Sequence, residues 1–210
     1  MEIIEEEFNK VISEFETFKE RGAIYWRAKE IIKSNPKYTV DAIILLLSTW
    51  NVAHFSNVLK GRTLKNGNKW EFNYNKIKSD VMKILPIIDE FKELNIKTLN
   101  IEDNKEKISE IYEILENNDN IRNVGATKIM MLLNDNVFIA WDGDIKKWYE
   151  IKSDNSEDYI RFLLLMQENF KNINLSENNK KVREFERGIG KAIDEYNFQK
   201  VRQNKNDESD

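Results

Sequence analysis

The chain has 210 residues, 40% hydrophobic and 33% charged, which is enough apolar material for one sizeable core and excludes wholesale disorder. Its 33 Lys and Arg against 37 Asp and Glu give a formal net charge of -4, which excludes a global basic field but not a local basic patch. With no cysteine and one histidine, His54, it excludes disulfides, zinc fingers, thiolate clusters, cysteine nucleophiles and any site needing two histidines.

Chemistry here must therefore rest on carboxylates, lysines, hydroxyls or a hard cation held by oxygen. The acidic start, Met1-Glu2-Ile3-Ile4-Glu5-Glu6-Glu7, is not a signal peptide. No apolar run reaches membrane-spanning length. The expectation is a cytoplasmic protein with no membrane partner.

Apolar residues recur at three- and four-residue spacing over most of the chain, and only two prolines and seven glycines interrupt it. Helices are predicted from about Glu2 to Glu20, stopped by Gly22, and from Ala23 to Lys33, before Asn35-Pro36. Thr39 to Trp50 is the most apolar stretch and reads as a buried central helix that Thr39 can cap. Val52 to Lys60 follows as a short helix. Asn66-Gly67 is a hairpin turn signal, so a small β-hairpin or an exposed loop is expected near 62–72.

Lys76 to Glu93 is predicted helical, bent or divided at Pro86. Asp103 to Asn117 is a further helix with an Asp103–Glu106 capping box. A short apolar helix, Ile129 to Leu133, follows Gly125. Asp142 to Ile151, Ser156 to Ile173 and Ser176 to Val201 complete the set, ahead of a frayed polar tail from Gln203. The fold class is all-α: a single domain over 1–202 in two helical lobes with a cleft between them, and a disordered tail over 203–210.

Two stretches carry the candidate chemistry. In Ile121-Arg122-Asn123-Val124-Gly125-Ala126-Thr127-Lys128, one helix ends and another begins around a glycine turn. The N–H groups of such a helix start can hold a phosphate, with Arg122 and Lys128 adding attraction. The plain alternative is a turn and nothing more. In Val137-Phe138-Ile139-Ala140-Trp141-Asp142-Gly143-Asp144, an apolar approach delivers Asp142 to a helix start. There a carboxylate is stabilised by the dipole, and Asp142 can equally be only an N-cap.

Together these stretches resemble the helix–hairpin–helix DNA glycosylase superfamily, which includes endonuclease III. Asn123-Val124-Gly125 is similar to its hairpin, with Asn in place of the first glycine. Asp142-Gly143-Asp144-Ile145-Lys146-Lys147 is similar to the aspartate motif of the adenine glycosylases. Ile44-Leu45-Leu46-Leu47-Ser48-Thr49-Trp50-Asn51 resembles the buried helix that ends in the family's DNA-inserting loop. The resemblance covers roughly residues 35 to 165.

It implies an enzyme that removes a damaged or modified base from duplex DNA. Asp142 would stabilise the sugar cation or position the attacking water. Asn123, Val124, Gly125, Thr127 and Lys147 would lie on the DNA face. Trp50 or Asn51 would fill the space left by the extruded base, and Trp141 would line the base pocket. The lysine that lets some members cleave the strand is replaced here by Thr127, with Lys128 one residue on, so a monofunctional enzyme is expected and lyase chemistry through Lys128 is the lesser option. No iron–sulfur cluster can form without cysteine. The general-acid glutamate of the adenine glycosylases corresponds to Ile44, which disfavours mismatched adenine. A monovalent cation on hairpin carbonyls is the one bound ion the resemblance allows; no side-chain metal site is expected, and the protein is expected to be a monomer.

Lysine and arginine cluster at Lys60, Arg62, Lys65 and Lys69, at Arg122, Lys128, Lys146 and Lys147, and at Lys180, Lys181, Arg183 and Arg187; the last reads best as a solvated face. Two other classes of protein fit the same residues. One is a helix–hairpin–helix module that binds DNA or lesions without chemistry. The other is an all-α interaction protein in which Asp142 is a cap and Gly125 a turn.

Overall fold

The computed structural model describes residues 3–15, 19–61, 71–182 and 185–207. Among them the fold is all-α, as expected. The elements are α1 (Glu5–Phe15), α2 (Lys19–Ser34), a 3-10 turn (Pro36–Tyr38), α3 (Thr39–Trp50), α4 (Val52–Leu59), α5 (Tyr74–Asp89), α6 (Ile101–Glu116), α7 (Arg122–Leu133), α8 (Gly143–Trp148), α9 (Ser156–Phe170), α10 (Glu177–Lys180), a two-residue antiparallel pair β1 (Lys181–Val182) and β2 (Phe185–Glu186), and α11 (Ile189–Asp207). No single helix among these residues is long and apolar enough to cross a membrane.

Several boundaries differ from the sequence reading. Gly22 lies inside α2 and does not stop a helix. Thr39 is the first residue of α3 and caps nothing; its hydroxyl donates to the Pro36 carbonyl, while Asn35 caps the turn before it. The capping pair of α6 sits one turn earlier than expected: Asn100 accepts from the Asp103 N–H, and the Asp103 carboxylate accepts from Asn100. Pro86 stays inside α5. The expected Asn66-Gly67 hairpin lies outside the described residues. The small hairpin that is seen joins 181–182 to 185–186, in a segment read as continuous helix. The tail expected to fray from Gln203 continues as helix to Asp207.

The core is built around α3 and α7. Leu46, Leu47, Ile43 and Ala42 of α3 are fully buried, and α3 packs against α2 and α7. Gly125 permits the α3–α7 approach: a methyl there would sit 3.1–3.2 Å from Asn51, Ile121 and Leu47. It serves as a packing glycine within the first turn of α7, not as the turn itself. The reversal between α6 and α7 runs through 117–121, and Arg122, just after it, has left-handed backbone (φ 61).

The link from α7 to α8, residues 134–142, is not helical, yet Val137 to Trp141 are buried. A buried loop is tolerable only where its backbone groups find partners. Here they do. Ile96 N–H donates to the Asn136 carbonyl, Tyr159 OH to Ile139, Lys191 N–H to Asp135, and the Trp141 N–H donates to Thr127 Oγ1. The start of α11 presses onto this loop so closely that a methyl on Gly188 would fall 2.2 Å from the Asp135 carbonyl oxygen.

Candidate active site

Asp142 is the N-cap of α8. Its Oδ1 accepts from the Asp144 and Ile145 N–H groups at 3.0 and 2.9 Å. Both bonds fall on one oxygen; Oδ2 has no hydrogen bond among the described residues. The cap reading is thus correct, and it leaves half of the carboxylate uncommitted.

That carboxylate opens on a small cleft of about 70 Å³ lined by Trp50, Lys128, Trp141, Asp142, Asp194 and Phe198, with Ala140 and Ile145. Four of the residues singled out from three separate stretches of sequence therefore converge: Trp50 from the end of α3, Lys128 from α7, and Trp141 with Asp142 from the buried loop. Lys128 Nζ donates to the Trp50 carbonyl, tying α7 to the α3–α4 bend. Trp141 is buried within an aromatic cluster, with Tyr112, Tyr159 and Phe162 at ring-centroid distances of 6.1, 5.2 and 5.6 Å. Its indole N–H is buried and finds no acceptor among the described residues.

Other expected site residues go elsewhere. Thr127 is fully buried; its hydroxyl donates to the Val124 carbonyl and receives the Trp141 N–H, so it positions the loop and has no face for DNA. Asn51 is buried too, and its amide donates to the Ile121 carbonyl. It cannot act as an inserting side chain. Trp50 is a cleft wall, with its ring 5.6 Å from that of Tyr25. Val52 and Ala53, just past the bend, are exposed, Val52 being the larger. Gly125 is buried against α3, whereas Asn123 and Val124 are half-buried, with the Val124 N–H donated to Asn123 Oδ1. Lys147 is exposed, but Lys146 pairs with Asp154 and lies over Trp141, where burial pulls its ammonium below its ordinary value.

In the α6–α7 reversal the Asn118, Asp119 and Ile121 carbonyls accept protein hydrogen bonds, from the Ile121 and Arg122 N–H groups, from His54 Nε2 and from Asn51 respectively. A cation bound there would have to use their second lone pairs. His54 thereby ties α4 to the reversal, and burial lowers its pKa from the ordinary 6.5.

Asp194 and Phe198, both from α11, were not anticipated. They lie one helical turn apart in the segment read as a helix from Ser176 to Val201, and only the docking of α11 against α8 and the loop brings them to the cleft. A signal was present in Lys191-Ala192-Ile193-Asp194-Glu195, whose charges follow Gly188, just before the helix, and Gly190, in its first turn. Lys191 is fully buried. Its Nζ reaches Asp194 Oδ2 at 2.7 Å and Glu195 Oε1 at 3.3 Å, and lies over the Trp50 and Tyr25 rings at 4.7 and 5.0 Å. Arg187, expected on a solvated face, is buried and paired with Glu195 at 3.3 Å. Beyond Tyr25, the buried Asp135 accepts from the Tyr25 hydroxyl at 3.0 Å and from Lys29 at 2.8 Å.

Burial raises the pKa of Asp194 and of Glu195, against the opposing pull of Lys191. Burial alone would lower Lys191, but its two carboxylates hold it above its ordinary value and charged. A separate groove of about 870 Å³ between α5, α6 and α9 is lined by mixed charges such as Lys83, Lys105, Glu106 and Arg161, and shares no residue with this cleft. The chain matches no family model, no curated protein and no solved structure.

Proposed function

We propose that the protein is a DNA glycosylase that hydrolyses the N-glycosidic bond of a modified base extruded from the duplex, with Asp142 as the essential carboxylate. One observation carries the reading: Asp142, Lys128, Trp50 and Trp141, drawn from three stretches with family resemblance, line one cleft. The chemistry fits the residues. As the C1′–N bond breaks, positive charge develops on the sugar, and a carboxylate fixed by two backbone N–H groups stabilises that charge without reorganising. Its second oxygen is left to face the sugar or to hold the attacking water.

The cleft is well below the roughly 300–1,000 Å³ of typical ligand pockets. The half-buried Trp50 and Phe198 must therefore swing apart to admit a base. Extrusion also needs a wedge, since unstacking costs a few kcal/mol. With Asn51 buried and Trp50 in the cleft, the exposed Val52 takes that part. Phosphate contacts fall to the exposed Arg122 and Lys147 and to the half-buried Asn123 and Val124. The hydrogen bond from Lys128 to the Trp50 carbonyl supports the monofunctional reading.

The test is base release from labelled duplexes carrying uracil, mismatched thymine, 8-oxoguanine, hypoxanthine or alkylated bases, with and without alkali. Alkali-dependent breaks that vanish in Asp142→Asn support the proposal. Breaks without alkali make Lys128 the nucleophile. No release by wild type, with both proteins binding abasic DNA alike, replaces the enzyme by a DNA-binding module.

A further inference from the structure

The cleft holds two carboxylates in unlike surroundings. Asp142 sits at its rim, half-exposed and capped by N–H donors; Asp194 sits on α11 at 7% exposure. Asp194 lines the cleft; its Oδ2 is held by Lys191, while Oδ1 has no hydrogen bond among the described residues. A pair of carboxyl groups, one open and one buried, is the arrangement that divides glycosidic cleavage between a charge stabiliser and an acid. The sugar cation requires a group that stays ionised. The departing base requires a proton, because a purine leaves poorly as an anion.

Resting on the glycosylase reading above, we propose that Asp194 is the catalytic acid of this cleft and that the preferred substrate is a purine lesion with a basic ring nitrogen. In the step, the Asp194 Oδ1–H bond breaks and its proton passes to a ring nitrogen of the extruded purine. The electron pair of the C1′–N bond goes to the base, which leaves neutral. The sugar cation is held by the Asp142 carboxylate until water adds to C1′ and gives up its proton to solvent; Asp194 recovers a proton from solvent.

The charges around Asp194 are consistent with that task. Lys191 and Glu195 of α11, Lys128 of α7 and Asp142 act on it electrostatically, and it acts on Tyr25 of α2 and Tyr159 of α9. Lys191 is shared between two carboxylates, so it orients Asp194 without fully claiming its charge. Burial and the neighbouring carboxylates favour the protonated form.

The experiment compares hypoxanthine with 7-methylguanine in otherwise identical duplexes. 7-Methylguanine is already cationic and needs no proton to leave. For wild type, hypoxanthine release should fall relative to 7-methylguanine release as pH rises from 5.5 to 8, a result that needs no variant. Asp194→Asn should lose about 100-fold or more on hypoxanthine. That loss should exceed its loss on 7-methylguanine at least tenfold, and the pH dependence of the ratio should disappear. Asp142→Asn should abolish release of both. Equal losses on the two bases, a pH-independent wild-type ratio, or release confined to pyrimidines or to alkylated bases overturns the assignment of Asp194 while leaving the glycosylase. Release of no base by wild type overturns the glycosylase reading itself.

Discussion

Replacing Lys191 with Met keeps the length of the side chain and removes its charge from a place that water does not reach. Asp194 loses its nearest cation; Glu195 keeps Arg187 at 3.3 Å. Breaking a buried ion pair from one side costs about 3–5 kcal/mol. Asp194 can limit that cost by taking up a proton, and this makes the penalty depend on pH. A carboxyl whose folded pKa is raised loses stability as pH climbs from its unfolded value, about 3.9, toward the folded one. At about 1.36 kcal/mol per unit, the penalty on one carboxyl cannot exceed about 5 kcal/mol at pH 7.5 or about 1.5 kcal/mol at pH 5.

The wild-type Asp194 is already raised, so part of this cost is present before the substitution. We expect Lys191→Met to lose about 3 kcal/mol at pH 7.5 and less than about 1.5 at pH 5, measured by urea unfolding of both proteins at each pH. Adding Asp194→Asn should return much of the loss at pH 7.5 and little at pH 5, because a neutral partner needs no cation. An equal cost at both pH values would show that removing Lys191 does not change the protonation of Asp194, and would refute the account of the buried cluster.

Asp142→Ala should lower stability by about 1 kcal/mol through loss of the α8 cap, whereas Asp142→Asn keeps a capping oxygen; paired melting curves and activities then separate its structural part from its chemical one. Gly188→Ala drives a methyl to 2.2 Å from a backbone oxygen, and with backbone on both sides it should cost at least the upper end of the usual 1–3 kcal/mol for overpacking; a change within 0.5, read by urea unfolding, would contradict the packing of α11 on the loop. His54 should titrate below 6.5 by NMR. Its depressed pKa means that its share of stability is full above the unfolded value and is lost as pH falls through the lower folded one, loosening α4 from the α6–α7 reversal.

Local pattern settled much of this molecule. The three- and four-residue spacing of apolar side chains marks α3, α4, α6 and α9 closely, because a helix face must be apolar to be buried wherever it docks. The excluded chemistries follow from residue counts alone. Asp142 as cap was legible because an N-cap is decided by a few neighbouring atoms.

The tertiary structure decided which surfaces meet. Gly125 looked like a turn and proved to be the contact point of two helices, a distinction that depends on Leu47 and Asn51, more than 70 residues away. Thr127 and Asn51 have polar side chains suited to a DNA face, but the fold uses them to satisfy buried backbone groups. Trp50, Lys128, Trp141 and Asp142 were separately visible; that they share a cleft depends on α7, the α3–α4 bend and a buried loop closing together. Asp194 and Lys191 could not be placed from sequence. The ion pairs of Lys191 are local to α11, but a charged residue reads as exposed until its cover is known, and here the rings over Lys191 arrive from α2 and α3.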